Sequence, residues 1–452
     1  MSINSVSCIE TTQIASSLVF AITILLIITR RLEESHAALL GMSLILILGL
    51  LDLYKAFSSY VDWNIISILI GMWILSFLLR DSGFINYIAM KIIEKTHSVP
   101  MIVLYVNMLA GIITMFVDNV LVVLLLVPVT LEILRSVGVD PVKPSIMVAL
   151  SANFMGTALL LGDLPPQLLH VIFGAEFMDF IWMNNKPAAF PILLLSFILT
   201  LFISSGVLLR SERNLKIIIE AKTVAGSLSK ESYDKVYMVI SLLAFIATVV
   251  LMALRKPISD LAGYEIRLGV FPLFTSVVTS LYLVVTRRVS FEKIIDEGID
   301  LNAILFYIGL FILVGSLEET GVLDIIGSII APLLTSATYI GFTVVYWISA
   351  FLVAFVEHDA YILVMLKTFK HLYEGGLLSD PWPYNWALLF SGTLGSNYTA
   401  AGAPALYVAF RLIEKTLNRK ISLREIYKTT VTYSTVSLMT CYVISLLIWA
   451  ML

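Results

Sequence analysis

The chain has 452 residues, 59% of them hydrophobic and 13% charged, with a net charge of −3 and a mean hydropathy of +0.96. That composition excludes a soluble globular domain, and the slightly negative charge offers no basic field for nucleic acid. Cys8 and Cys441 stand at opposite ends of the chain and suggest neither a disulfide framework nor a metal site.

In chain order, apolar runs of membrane-spanning length come first at 14–29, 37–53 and 63–79. The first has no basic segment before it and no small-residue cleavage site after it, so it reads as a retained helix. The next apolar segment, 101–134, is interrupted by Val117-Asp118-Asn119. A carboxylate at that depth is costly unless paired, hydrated or protonated, which predicts a re-entrant hairpin with Asp118 and Asn119 at its tip. Segment 145–172 contains Asn153-Phe154-Met155-Gly156-Thr157 and Gly162-Asp163-Leu164-Pro165-Pro166. Glycine permits close backbone approach and proline removes donors, so this helix is predicted to break near its middle. Backbone broken at membrane depth must be buried in protein or line water. A run at 190–209 and a polar linker at 210–235 follow.

The second half has runs at 237–253, 268–286 and 303–317. A segment at 339–371 carries Val356-Glu357-His358-Asp359, again predicted as a hairpin tip. Segment 386–410 carries Gly395-Ser396-Asn397-Tyr398-Thr399 and Gly402-Ala403-Pro404, and a last run occupies 430–451.

The halves repeat one another. Asn64, Ile66, Ile70, Gly71, Ile74, Leu75, Leu79 and Gly83 recur 238 residues later as Asn302, Ile304, Ile308, Gly309, Ile312, Leu313, Leu317 and Gly321. Duplication with polar breaks at matching depths is the pattern of a secondary transporter. The predicted fold is an all-α polytopic membrane protein with about ten crossings and two re-entrant hairpins, in two inverted-topology repeats with broken helices. Its predicted division is 1–209, with a first repeat at about 37–209, a cytoplasmic linker at 210–235, and a second repeat at 236–452. With the N-terminus outside, about 22 of the 29 basic residues fall on the cytoplasmic side. Lys55, Lys186, Arg255, Lys256, Arg267, Lys367 and Lys370 remain outside, beside an interfacial belt of Trp182, Trp382 and Trp386. Making either hairpin a full span would degrade that bias.

Half-helix N-termini suit an anion, and C-terminal carbonyls suit Na⁺ or a protonated partner. Two tips and two breaks would converge on one site near the midplane. Asp118, Glu357 and Asp359 could exchange protons, and His358 has an unperturbed pKa near neutrality. Asp163 would also cap the helix half that follows it. His36, His97, His170 and His371 read as interfacial, and Glu318-Glu319 as a solvated helix end. No Lys or Arg falls in the tips or breaks, so an anion would rest on helix N-termini, or the substrate would be neutral or accompanied by cations. There is no nucleophile motif, phosphate loop or metal-ligand spacing. The chain is expected to be no enzyme and to need no cofactor, and any pumping would use ion gradients or a separate ATPase subunit.

Phe116-Val117-Asp118-Asn119-Val120, followed by Leu124-Leu125-Leu126-Val127-Pro128-Val129-Thr130, resembles the FLDNVTTxLLLxPVT signature of the melanosomal P protein and arsenite permeases. Residues 153–167 resemble the NIGGTATLIGDPPN segment, with Leu164 inserted and Gln167 in place of the last Asn. Residues 395–405 resemble GGNGTLIGASA, residues 313–321 a second-repeat hallmark, and His36-Ala37-Ala38-Leu39-Leu40-Gly41 the opening of the second helix. The chain is thereby identified as similar to the ion transporter superfamily, which includes arsenite, citrate, dicarboxylate and Na⁺/H⁺ carriers. The resemblance implies a homodimer with an elevator-type mechanism. It places Asp118, Asn119, Asn153, Thr157, Gly162, Asp163, Asn397 and Thr399 around the substrate and coupling ion, and Gly156, Ser396, Gly402, Glu357, His358 and Asp359 belong to the same segments. Val122 and Leu159 replace threonines, while Glu357-His358-Asp359 replaces a simpler tip, which favours H⁺ over Na⁺ coupling.

The expected function is a proton-linked permease in the plasma membrane for a small anion or oxyacid, arsenite-like or carboxylate-like. The alternative is a Na⁺/H⁺ antiporter, with Na⁺ near Asn119 and Asn397. A passive channel and an intramembrane enzyme built on Glu357, His358 and Asp359 are weaker readings.

Overall fold

The structure, a computed structural model, describes residues 3–29, 31–94, 98–136, 138–209 and 234–451. His97 and nearly all of the predicted linker lie outside the described residues. The chain is almost entirely helical. Its first half contains α1 (Ile3–Thr29), α2 (Glu34–Ile47), α3 (Trp63–Asp81), α4 (Phe84–Glu94), α5 (Val99–Thr114), α6 (Asn119–Ser136), α7 (Val142–Met155), α8 (Leu164–Phe173) and α9 (Ala189–Leu208). The second contains α10 (Lys235–Ala253), α11 (Arg255–Ala262), α12 (Val270–Val285), α13 (Phe291–Gly298), α14 (Leu301–Glu319), α15 (Val322–Ser336), α16 (Thr338–Val353), α17 (His358–Glu374), α18 (Trp382–Ser396), α19 (Pro404–Leu417) and α20 (Leu423–Leu446). A two-stranded hairpin pairs β1 (Trp182–Met183) with β2 (Lys186–Pro187), turning through Asn184 and Asn185 at positive φ.

Among the described residues, seven helices are long and apolar enough to cross a bilayer: α1, α3, α6, α9, α10, α14 and α20. The protein is therefore a multi-pass membrane protein. Outward faces are apolar, as on α10, where Val239, Leu243, Ile246 and Val250 are exposed while Ser241 and Thr248 turn inward. Thr248 shares a 2.6 Å hydrogen bond with Thr275 of α12, a polar link between apolar helices.

The repeated motif produces two helices of equal make. α3 and α14 each run for 19 residues, each capped by an aspartate that accepts from the residue three positions on: Asp62 from Ile65 N and Asp300 from Ala303 N, both at 3.0 Å. Gly71 lets α3 approach the Pro272 backbone of α12, and Gly309 lets α14 approach Ala38 of α2. The order long helix, arm, helical hairpin, broken helix then recurs in α3–α8 and α14–α19.

The helices form two packed bodies. One comprises two groups, α1, α2 and α14 packed on one another and α3 packed with α10, α12 and α13, and the other joins α5–α9 with α16–α20. Each body takes helices from both halves of the chain. α14 lies against α2 in the first, while α16 packs on α18 and α20 on α9 in the second. Arg255 of α11 pairs with Glu176, after α8, and donates to the Ile266 carbonyl at 2.9 Å.

Two expected interfacial residues sit elsewhere. Trp386 is fully buried, stacked on Phe390 with ring centroids 5.9 Å apart, because it falls on the inner side of α18. His170 is buried too, its Nδ1 2.8 Å from the Ala175 carbonyl at the end of α8.

Candidate functional site

The two helical hairpins turn at 115–118 and 354–357, and each turn ends in a carboxylate that caps the helix after it. Asp118 Oδ1 accepts from Val120 N (2.9 Å) and Leu121 N (3.3 Å) at the start of α6. Glu357 accepts from Asp359 N (3.1 Å) and Ala360 N (2.8 Å) at the start of α17. Asp163 does the same for α8, accepting from Leu164 N at 2.9 Å, with the two prolines in the first turn, where their missing N–H groups cost nothing. Negative charge at a helix start is stabilised by the orphan N–H groups and the helix dipole.

The breaks are held against the hairpin turns by backbone contact. Gly162 lies against the carbonyls of Thr114 and Gly156, and Gly402 against those of Val353 and Ser396. A polar network then ties the breaks together. Asn119 Nδ2 donates to Asn153 Oδ1 (3.0 Å) and Asp163 Oδ2 (3.1 Å). Asn153 Nδ2 is within reach of the Thr393 carbonyl (3.2 Å), Ser396 Oγ (3.0 Å) and Asn397 Oδ1 (3.0 Å). Asn397 donates in turn to the Leu150 carbonyl at 3.4 Å. Asn153, Ser396 and Asn397 have no exposed surface, so these bonds are buried and specific. Thr399 Oγ1 donates to the Ala354 carbonyl at 2.5 Å and accepts from Ala401 N, fixing the second break to its tip. Thr157 is equally buried, yet its hydroxyl has no partner among the described residues.

A cavity of about 590 Å³ lies between the bodies. The second body contributes Asp118, Asn119, Asp163, Glu357, His358 and Asp359, and the first contributes Trp73, Asp300, Asn302 and Tyr307. Glu33, Glu34 and Glu297 also line it, so eight carboxylates face Arg31 and His358. His358 is at the centre of the charge. Its Nδ1 donates to the Gly402 carbonyl at 3.1 Å, and its Nε2 is 3.3 Å from Asp359 Oδ1 and 3.9 Å from Asp163 Oδ2. One ligand atom from each of Asp163, His358 and Asp359 falls within 4.8 Å of the others, a grouping that one cation could bridge.

Tyr307 of α14 donates to Asp359 Oδ2 at 3.3 Å and so joins the two cavity walls. Tyr307→Phe is expected to cost about 1 kcal/mol by removing a donor from a buried carboxylate. A lower midpoint of thermal unfolding in detergent checks this.

The sequence-predicted residues thus divide into two sets. Asp118, Asn119, Asp163, Glu357, His358 and Asp359 reach the cavity. Gly156, Thr157, Gly162, Asn153, Ser396, Asn397, Thr399 and Gly402 do not line it, and most of them hold the breaks and tips in register. Tyr307, Asp300 and Trp73 were not foreseen, although Asn302 of the repeated motif marks the helix start from which Asp300 and Tyr307 project. Glu318 and Glu319 are not simply solvated: Glu318 pairs with Lys367, and Glu319 accepts from Lys55 and from the Tyr60 hydroxyl, both at 2.6 Å.

The sequence profile of the citrate transporter family matches residues 24–391. An uncharacterized transporter of Mycobacterium tuberculosis is 26% identical over 398 residues, spanning 86% of this chain and 87% of its own. Magnetosome protein MamN of Magnetospirillum gryphiswaldense is 25% identical over 84% of each chain. The P protein of Sus scrofa is 21% identical over 88% of this chain and 54% of its own length. The crystal structure of the Alcanivorax borkumensis YdaH transporter is similar, with a TM-score of 0.58 at 13% identity, covering 95% of this chain and 97% of that one. That likeness extends to the fold.

Proposed function

The chain belongs to the citrate transporter family and is a membrane transporter rather than an enzyme; on that premise we propose that it carries a small carboxylate of the citrate class together with protons. The observation that carries this reading is the buried cluster of His358 with Asp163 and Asp359 on the wall of a cavity between two bodies. Asp118, Asp163 and Glu357 are each committed to capping a helix, whereas Asp359 caps nothing and faces His358. Asp359 and His358 are therefore the pair that exchanges the coupling proton, and Asp118, half-buried at the other tip, faces the solute. With eight carboxylates around it and no Lys at the tips, the cavity would repel a bare polyanion. The carboxylate enters with its charge compensated by protons or by a bound cation.

Alternating access follows an elevator scheme, in which the body holding both tips and both breaks moves against the body holding α14. We read the chain as a homodimer in the plasma membrane with its N-terminus outside, as the resemblance and the distribution of basic residues imply. The acidic lining also favours a second reading, a Na⁺/H⁺ antiporter in which the same carboxylates bind either cation. Asn397 Oδ1 already accepts from Asn153, so a Na⁺ there would share that oxygen.

Liposomes containing a pH-sensitive dye separate the two. Citrate, arsenite and Na⁺ gradients are imposed in turn on the wild type and on Asp359→Asn and Asp118→Asn. Proton flux with citrate, reduced at least about a hundredfold in Asp359→Asn, is expected. Flux driven by Na⁺ alone would replace the permease with the antiporter.

A further inference from the structure

α14 and α17 run side by side from the cavity to a second pocket. Tyr307 and Asp359 meet at one end, and eleven residues further along α14, roughly 16 Å at 1.5 Å per residue, Glu318 meets Lys367 and His371. Glu318 accepts from Lys367 Nζ, and its other oxygen is 3.5 Å from His371 Nε2. His371 Nδ1 is 3.2 Å from Asp324 of α15, and Lys367 Nζ lies 5.3 Å from the centre of the Tyr60 ring. Lys370 is 3.7 Å from Glu374. Apart from Asp324, these groups border a pocket of about 280 Å³, which Asp62 also lines and whose apolar side includes Phe311 and Leu363. Lys367, His371 and Glu318 are each between a fifth and a third exposed, so the pocket is wet and accessible.

The contrast with the main cavity is one of balance. The cavity sets eight carboxylates against Arg31 and His358, whereas this pocket sets Lys367, Lys370 and His371 against Asp62, Glu318 and Glu374, and Glu318 alone takes both Lys367 and His371. We propose that Lys367 and His371 form a reception site for the carboxylate of an incoming anion, and that Glu318 fills this site as a resident carboxylate while α14 and α17 are in contact. The inference rests on the transporter reading. When the bodies shift, a solute carboxylate takes over the donors that Glu318 leaves, so the donors pass from one carboxylate to another. Charge-assisted bonds of this kind are strong and interchangeable between carboxylates.

A mere latch would also pair Glu318 with Lys367, and substitution separates the two ideas by sign. Full-length protein in lipid nanodiscs is titrated with citrate and with sulfate by calorimetry. Removing the resident competitor in Glu318→Gln is expected to tighten binding of both anions about tenfold, and Lys367→Gln is expected to weaken it about tenfold. Lys367→Arg, which keeps the charge, is expected to bind within about threefold of the wild type and guards against misfolding. Equal changes in the two Gln variants, or none, would overturn the reception site. Sulfate tests the donors of the pocket with an anion that is not a carboxylate. Absent sulfate effects with intact citrate uptake sink only this site. Retained sulfate effects with no carboxylate uptake by the wild type sink the permease reading instead.

Discussion

Asn153→Leu is expected to abolish uptake and to destabilise the protein by about 3 kcal/mol or more, since a buried polar group left without a partner costs roughly 1–3 kcal/mol. The side chain of Asn153 is the meeting point of three segments. It accepts from Asn119 at the first tip and contacts Thr393, Ser396 and Asn397 around the second break. Leucine fills the space but satisfies none of these groups, and it leaves no room for a water to do so. The two breaks would separate, and with them the tips that carry Asp118 and Glu357. Thermal unfolding in detergent and uptake into liposomes test both halves of the prediction. A variant that melts like the wild type would show that the network is incidental.

Gly402→Ala comes next in expected effect. A methyl group there would lie 2.8 Å from the Ser396 carbonyl oxygen and 2.9 Å from Ser396 Cα, with the Val353 carbonyl closer still. All of these are backbone atoms, so no side chain can swing aside. Overpacking costs about 1–3 kcal/mol, and here the displacement also drags the carbonyl that accepts from His358 Nδ1. Uptake is therefore expected to fall to background even where the protein is recovered folded. Gly174→Ala is the control. That residue ends α8 at φ +75 with nothing within 4 Å of an added Cβ, so only a local strain of about 1 kcal/mol is expected, with uptake retained. Equal uptake in the two variants would remove the argument from backbone contact.

The helices and their breaks were legible because the membrane imposes a simple code. A long apolar run must be a helix, and Gly162, Pro165, Pro166, Gly402 and Pro404 could only interrupt one. The tips were legible because Asp118 and Glu357-His358-Asp359 are expensive where they stand. The partners of these residues were not legible. Periodicity shows neither that Asn153 reaches across 244 residues to Asn397 nor that Tyr307 reaches Asp359, because both depend on how two separated halves interlock. Glu318-Glu319 misled for the same reason: at a helix end, acidic residues look solvated until the facing helix supplies Lys367. Trp386 misled because an aromatic near the end of an apolar run is ambiguous between interface and core, and neighbours such as Phe180, Phe390 and Trp449 settle which.

The reach of Asn153 also sets a delay during synthesis. The Thr393 carbonyl that its amide meets lies 240 residues downstream. At about 5–20 residues per second, roughly 10 to 50 s pass between the making of the amide and the making of its partner. For that interval the first broken helix exists without the second, its donors facing either lipid or whatever shelters the nascent chain. Any substitution that makes the first half greasier at the break would favour its burial in lipid during that interval and raise the chance that it settles wrongly before the second half arrives.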